Sequence, residues 1–190
     1  KPLEELLHGY QHTYQLAWQG MMAQKLGLAG FEPATDITLL EELDEVLRLL
    51  ETDMTIFFRT LALLDPDAAD DDLIAPLLAA YYVPDQLTSE VRARINSWLR
   101  SYLGRLDRDG INPERRREWM NAVNPKYVLR NYLAQLAIDK AERGDYSMVK
   151  ELLEVLREPY AEQPGNELFA QKRPDWARHR VGCSMLSCSS

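Results

Sequence analysis

Apolar positions recur every three or four residues along most of the first 158 residues, and no segment alternates with period two. The pattern predicts an all-α chain of about eight helices. The first runs from Pro2 to Leu26, with Leu3, Leu6, Leu7, Tyr10, Tyr14, Trp18, Met21 and Met22 as its core-facing stripe and Gly27 and Gly30 as its stop. Asp36 caps a second over Ile37–Leu50, and Asp53 a third that carries Phe57, Phe58, Leu61 and Leu64 and ends before Pro66. A short helix with Leu77, Leu78 and Tyr81 sits between Pro76 and Pro84. Thr88 caps a fifth to Leu106, and Asn112-Pro113 starts a sixth through Trp119 and Met120. Asn124-Pro125 reads as the same kind of start for a seventh helix to Arg143, with Val128, Leu129, Tyr132, Leu133 and Leu136 on its buried side and Gly144 as its stop. Arg130 and Asn131, between those apolar positions, are expected in hydrogen bonds near the buried face. Ser147 caps an eighth helix, Met148–Glu158, ended by Pro159.

Beyond Pro159 the periodicity stops. Residues 1–159 read as one helical domain and 160–190 as an extended arm, anchored by Leu168, Phe169 and Trp176, that runs into a flexible cysteine-containing tail. A chain of 190 residues can bury a core without staples, and both cysteines fall in its last eight residues, so it is no disulfide framework. The net charge of −8 argues against nucleic acid or anionic membrane as a partner. That charge is uneven: residues 31–90 carry fifteen acidic and two basic side chains, residues 91–130 four acidic and ten basic. The two regions are expected to face each other or water within one fold.

Candidate chemistry is sparse. His8 and His12 share a helical face, but zinc needs a third or fourth ligand, so they read as solvated or hydrogen-bonded histidines. Asp65, Asp67, Asp70, Asp71 and Asp72 lack the glycine and the closing glutamate of an EF-hand loop and read as an acidic surface turn. Neither a glycine-rich phosphate loop nor a supported Ser-His-Asp or Cys-His arrangement occurs. The remaining candidates are Cys183 and Cys188, thiols on a segment expected to be exposed, with Arg178, His179 and Arg180 near enough in sequence to favour a thiolate. They are redox-active or incidental terminal cysteines, and the residues alone leave both open.

Several stretches carry a family resemblance: Lys25-Leu26-Gly27-Leu28; Asp53 and Thr55 with Phe57-Phe58-Arg59; Asn124-Pro125-Lys126-Tyr127-Val128-Leu129-Arg130-Asn131; Gly144-Asp145-Tyr146; Pro159-Tyr160; and the terminal Cys188-Ser189-Ser190. Together they make the chain resemble the C-terminal portion of selenoprotein O, the SelO (YdiU-type) protein adenylyltransferases, in a cysteine-containing form. The similarity extends over essentially all of the chain. It implies a protein-kinase-like parent that uses ATP and Mg or Mn to transfer AMP to Ser, Thr or Tyr hydroxyls of protein substrates. It also implies a redox role for Cys188, where some members carry selenocysteine, with Cys183 or a cysteine of the catalytic lobe as its partner. The family's nucleotide loop, Lys-Glu pair, catalytic base and metal-binding Asn and Asp all precede the matched region. No catalytic, cofactor-binding or metal-binding residue therefore falls on this chain. The expectation is a helical segment that supports the missing kinase-like lobe and is inactive alone; the alternative is a non-enzymatic helical protein-interaction domain. The resemblance implies a cytoplasmic location if the chain is bacterial and a mitochondrial one if it is eukaryotic.

Overall fold

A computed structural model of the chain describes residues 2–183, and along the first helix the side chains of Leu6, Leu7 and Gly9 onward. Among the described residues there are eight α-helices and no strand, only an isolated antiparallel bridge between Thr52 and Tyr81. The helices are α1 (Pro2–Lys25), α2 (Pro33–Leu49), α3 (Met54–Thr60), α4 (Asp70–Leu73), α5 (Ser89–Asp109), α6 (Pro113–Val123), α7 (Asn131–Ala141) and α8 (Ser147–Arg157). The segment between Pro76 and Pro84 is 3₁₀ rather than α, spanning Ala75–Ala80.

Local capping chemistry explains many of these boundaries. The Asp53 carboxylate accepts the Ile56 N–H at 3.1 Å, the Thr88 hydroxyl accepts that of Val91 at 3.3 Å, and the Asn112 side chain accepts those of Glu114 and Arg115. Gly27, Gly110 and Gly144 lie in the left-handed region just after α1, α5 and α7. The caps expected at Asp36 and Ser147 differ. α2 starts at Pro33, and Asp36 lies inside its first turn, bonded back to the Glu32 N–H at 2.7 Å. α8 starts at Ser147 itself, whose N–H goes to the Asp145 carboxylate at 2.9 Å.

The chain folds as two compact units, one up to Asn124 and one from Pro125 on. The division falls well ahead of the residue-160 boundary expected from periodicity.

In the first unit, α2, α3, α5 and the 3₁₀ segments surround a core in which Leu43, Phe57, Leu61, Leu77, Leu99 and Tyr102 are almost fully buried. Trp98 and Tyr102 stack 5.3 Å apart, and each places its polar end on a backbone carbonyl: Trp98 Nε1 on Leu39 at 3.0 Å, Tyr102 OH on Leu26 at 2.7 Å. Arg105 is buried with Asp36 at 2.8 Å and Asp109 at 2.6 Å, and also donates to the Gly30 carbonyl. Asp109 accepts the Ala29 N–H, so this ion cluster fastens the α1–α2 turn to α5. Burial alone would lower the Arg105 pKa; the bonds from Asp36 and Asp109 outweigh it and hold the guanidinium charged. The acidic turn is likewise tied down: Arg100 bonds Asp70 and the carbonyls of Pro66 and Ala68.

One expectation fails in this unit. The apolar stripe of α1 is not core: Leu6, Leu7, Tyr10, Tyr14, Leu16, Trp18 and Met21 are all exposed, and only Ala23 and Leu26, near the helix end, are buried. Periodicity identifies the apolar face, but not whether anything covers it.

In the second unit α7 and α8 pack together, and Tyr132, Leu133, Ala137, Met148 and Leu152 meet Ala177 and Cys183 in a small core. Residues 160–183 are therefore not an extended arm. They fold back through 3₁₀ turns at Glu167–Ala170 and Asp175–Arg178. Phe169 packs against this core as expected. Leu168 is exposed, and half-exposed Trp176 meets Tyr132 edge-on at 6.3 Å. The Tyr132 hydroxyl donates to the Gln171 carbonyl, and Gln163 donates to the carbonyls of Val155 and Glu158.

Candidate functional site

The residues that carry the family resemblance in the first unit are scattered over a hundred positions, yet Lys25, Gly27, Phe58, Arg59 and Asn124 gather around the C-terminal end of α1. Asn124 does not cap a following helix. It follows α6, is almost fully buried, and its Nδ2 donates to the Lys25 carbonyl at 2.8 Å. Arg59 Nη1 donates to the carbonyls of Asn121 and Asn124, both at 2.8 Å. Gly27 turns the chain at φ +68, and a β-carbon there would come within 2.8 Å of Arg116 Cγ and of Met120. Lys25 places its ammonium 4.4 Å from the centroid of the Phe58 ring, and burial lowers its pKa. Asp53 caps α3 and accepts the Tyr82 hydroxyl at 3.0 Å. Most of these contacts are hydrogen bonds to main-chain groups and close packing, which rigidify this end of the unit.

The rest of the Asn-Pro motif belongs to the second unit. Between residues 124 and 131 the chain is non-helical, and α7 begins only at Asn131. The N–H groups of Lys126 and Tyr127 both go to the Pro159 carbonyl, at 2.8 and 3.0 Å, and the Tyr127 ring is buried with its hydroxyl on the Gln163 carbonyl. These bonds set Pro159-Tyr160 against the motif. Arg130 precedes α7 half-buried, and Asn131 is exposed.

Of the sequence-designated thiols, Cys183 is buried and in no disulfide. It follows Gly182, whose φ of +83 lets the turn press against Gln135. Arg180, read as a thiolate neighbour, instead pairs with Asp139 at 2.6 Å. That pair and the bond from Gln135 hold the Asp139 carboxyl below its ordinary value of 3.8, with the Gln135 bond as the larger cause. Cys188 lies outside the described residues. Of the pair His8 and His12, His12 is exposed, and the His8 side chain lies outside the described residues. Among the described residues no group of three or more His, Cys, Asp or Glu could hold a metal ion, and no helix is long and apolar enough to cross a membrane.

Sequence reasoning missed a groove of about 860 Å³ between α1, α2 and α3, lined by Trp18, Met22, Ile37, Leu40, Leu47 and Phe58, with Lys25 and Glu41 among its polar groups. The exposed apolar positions of α1 were its signal, misread as core.

Residues 1–157 match the family described as protein adenylyltransferase SelO. The protein nucleotidyltransferase YdiU of Rhodopirellula baltica is 52% identical, over all of this chain and 37% of its own length. That of Aromatoleum aromaticum is 50% identical over all of this chain and 35% of its own. The Flavobacterium johnsoniae protein of the same name is 44% identical over 99% and 36%. The chain thus spans little more than a third of the length of these curated relatives. With the family match over residues 1–157 and this identity along its whole length, the chain belongs to the SelO protein adenylyltransferase family.

Proposed function

We propose that this chain is the C-terminal helical portion of a SelO-type adenylyltransferase with a protein-kinase-like fold, and that the parent transfers AMP from ATP to Ser, Thr or Tyr hydroxyls of proteins. The observation that carries the reading is the family match combined with the share of length: relatives named nucleotidyltransferases are matched along all of this chain but over little more than a third of their own. In such a reaction the protein hydroxyl forms a bond to the α-phosphorus and pyrophosphate departs. ATP and Mg or Mn would be held by the parent's other lobe, since the sequence here has no phosphate-binding loop. The role of this segment is to support that lobe. The hydrogen bonds of Arg59 and Asn124, spent on main-chain carbonyls, favour a rigid support. Cys188 is the redox residue of the reading, with a cysteine of the other lobe or Cys183 as partner. The bacterial origin of the relatives supports a cytoplasmic setting.

The test is AMP incorporation from α-labelled ATP. The full-length polypeptide should label a protein acceptor with Mg or Mn present, and residues 1–190 alone should not. Labelling by the isolated chain would overturn the proposal. For the tail, Cys188→Ser in the full-length protein should remove the response of AMP transfer to thiol oxidants; an unchanged response would refute a redox role. The uncovered stripe of α1 favours a second reading, a helical domain that binds partner proteins without catalysis. Absence of AMP transfer by the full-length polypeptide, with capture of a defined protein partner through α1, would favour it.

A further inference from the structure

The sequence from Leu6 to Gln24 contains no Asp, Glu, Lys or Arg, although it is almost all of a 24-residue helix. A helix that faces water along its length normally carries charged residues, often as i,i+4 pairs. Here Leu7, Tyr10, Tyr14, Trp18 and Met21 follow one another at spacings of three and four, and all are exposed. That is the spacing of a seam that packs against another element. Gly9 and Gly20 add open space, with nothing within 4 Å of a β-carbon built at either. Glycine weakens a solvated helix, so α1 gains little stability from its own sequence. The seam leads into the 860 Å³ groove, where Trp18 and Met22 meet Ile37, Leu40 and Phe58. Glu41 is also exposed in that groove.

Three occupants fit an uncovered apolar seam: lipid, a second copy, or further polypeptide. Helices that lie on lipid carry Lys and Arg on their polar face, and this one has none between Leu6 and Gln24. The relatives favour the last, because nearly two-thirds of their length lies outside the region matched by this chain. We propose that the α1 seam and the α1–α2–α3 groove form the docking surface for a segment of the same polypeptide outside residues 1–190. That segment has an apolar face that fills the groove and a Lys or Arg that meets Glu41. The inference rests on the reading of this chain as part of a longer adenylyltransferase. It adds which surface of the helical portion is covered and by what chemistry.

Hydrogen exchange tests it independently of activity. Amides of residues 6–22 should exchange at least about ten-fold more slowly in the full-length polypeptide than in the isolated 190-residue chain. Tyr14→Asp and Ile37→Asp, both at exposed positions, should each abolish that difference and leave the helical circular dichroism of the isolated chain unchanged. Equal exchange in the two forms overturns the proposal. So does protection in the isolated chain that rises with its concentration, which would assign the seam to a second copy. AMP transfer by the isolated chain would overturn the functional reading and leave the exchange result standing.

Discussion

At the scale of single residues, the same amino acid has opposite consequences in different places. Arg105 is nearly inaccessible and paired with buried Asp36, whereas Arg48 pairs with Asp44 in water. Truncating Arg105 to Ala leaves a carboxylate buried without its partner and should cost about 3–5 kcal/mol. Arg48→Ala should cost below about 1 kcal/mol, because water and salt screen that pair. Urea unfolding of the two variants checks the contrast. Glycines divide in the same way. Gly27→Ala puts a β-carbon against Met120 and Arg116 at a left-handed φ and should destabilise by about 1–3 kcal/mol. Gly104→Ala, within α5 with nothing within 4 Å, should stabilise by about 0.5–1 kcal/mol, read as a higher melting temperature.

At the scale of elements, two identical dipeptides decide what is local. Asn112-Pro113 and Asn124-Pro125 present the same cap-and-start chemistry. The first caps α6, and the second does not start a helix. The difference lies in the acceptor that the fold brings up: the Lys25 carbonyl, one of the last of α1, takes the Asn124 amide. Asn124→Asp therefore separates the two readings. An aspartate would serve as a helix cap, but here it loses the N–H donor and sets a negative charge against the negative end of α1. The variant should be destabilised by about 1–3 kcal/mol, as should Asn124→Ala, in thermal melts. Asp139 ties α7 to the turn at Arg180. Its carboxyl titrates below the ordinary value of 3.8, so it favours the fold fully above that value, and the contribution is lost as pH falls through its lower folded value. Asp139→Asn should flatten the fall in melting temperature on acidification below about pH 4, followed by circular dichroism.

At the scale of the whole molecule, the two units have separate cores. The first cluster contains no residue beyond Met120, and the second begins at Tyr132. A fragment ending at Asn124 should keep a cooperative urea transition, while one beginning at Pro125 should unfold without a sharp transition because its core is small. A fragment 1–124 without cooperative unfolding would show that the first core needs the rest of the chain.

The helical class, the caps at Asp53, Thr88 and Asn112, and the glycine stops at Gly27 and Gly144 were legible in the sequence, because each depends on groups within about a turn of one another. The tertiary structure alone decided the role of Asn124, the ion cluster around Arg105, the burial of Cys183 and the exposure of the α1 seam. Each of these depends on a partner dozens of residues away, or on having none there, and apolar periodicity carries no information about either.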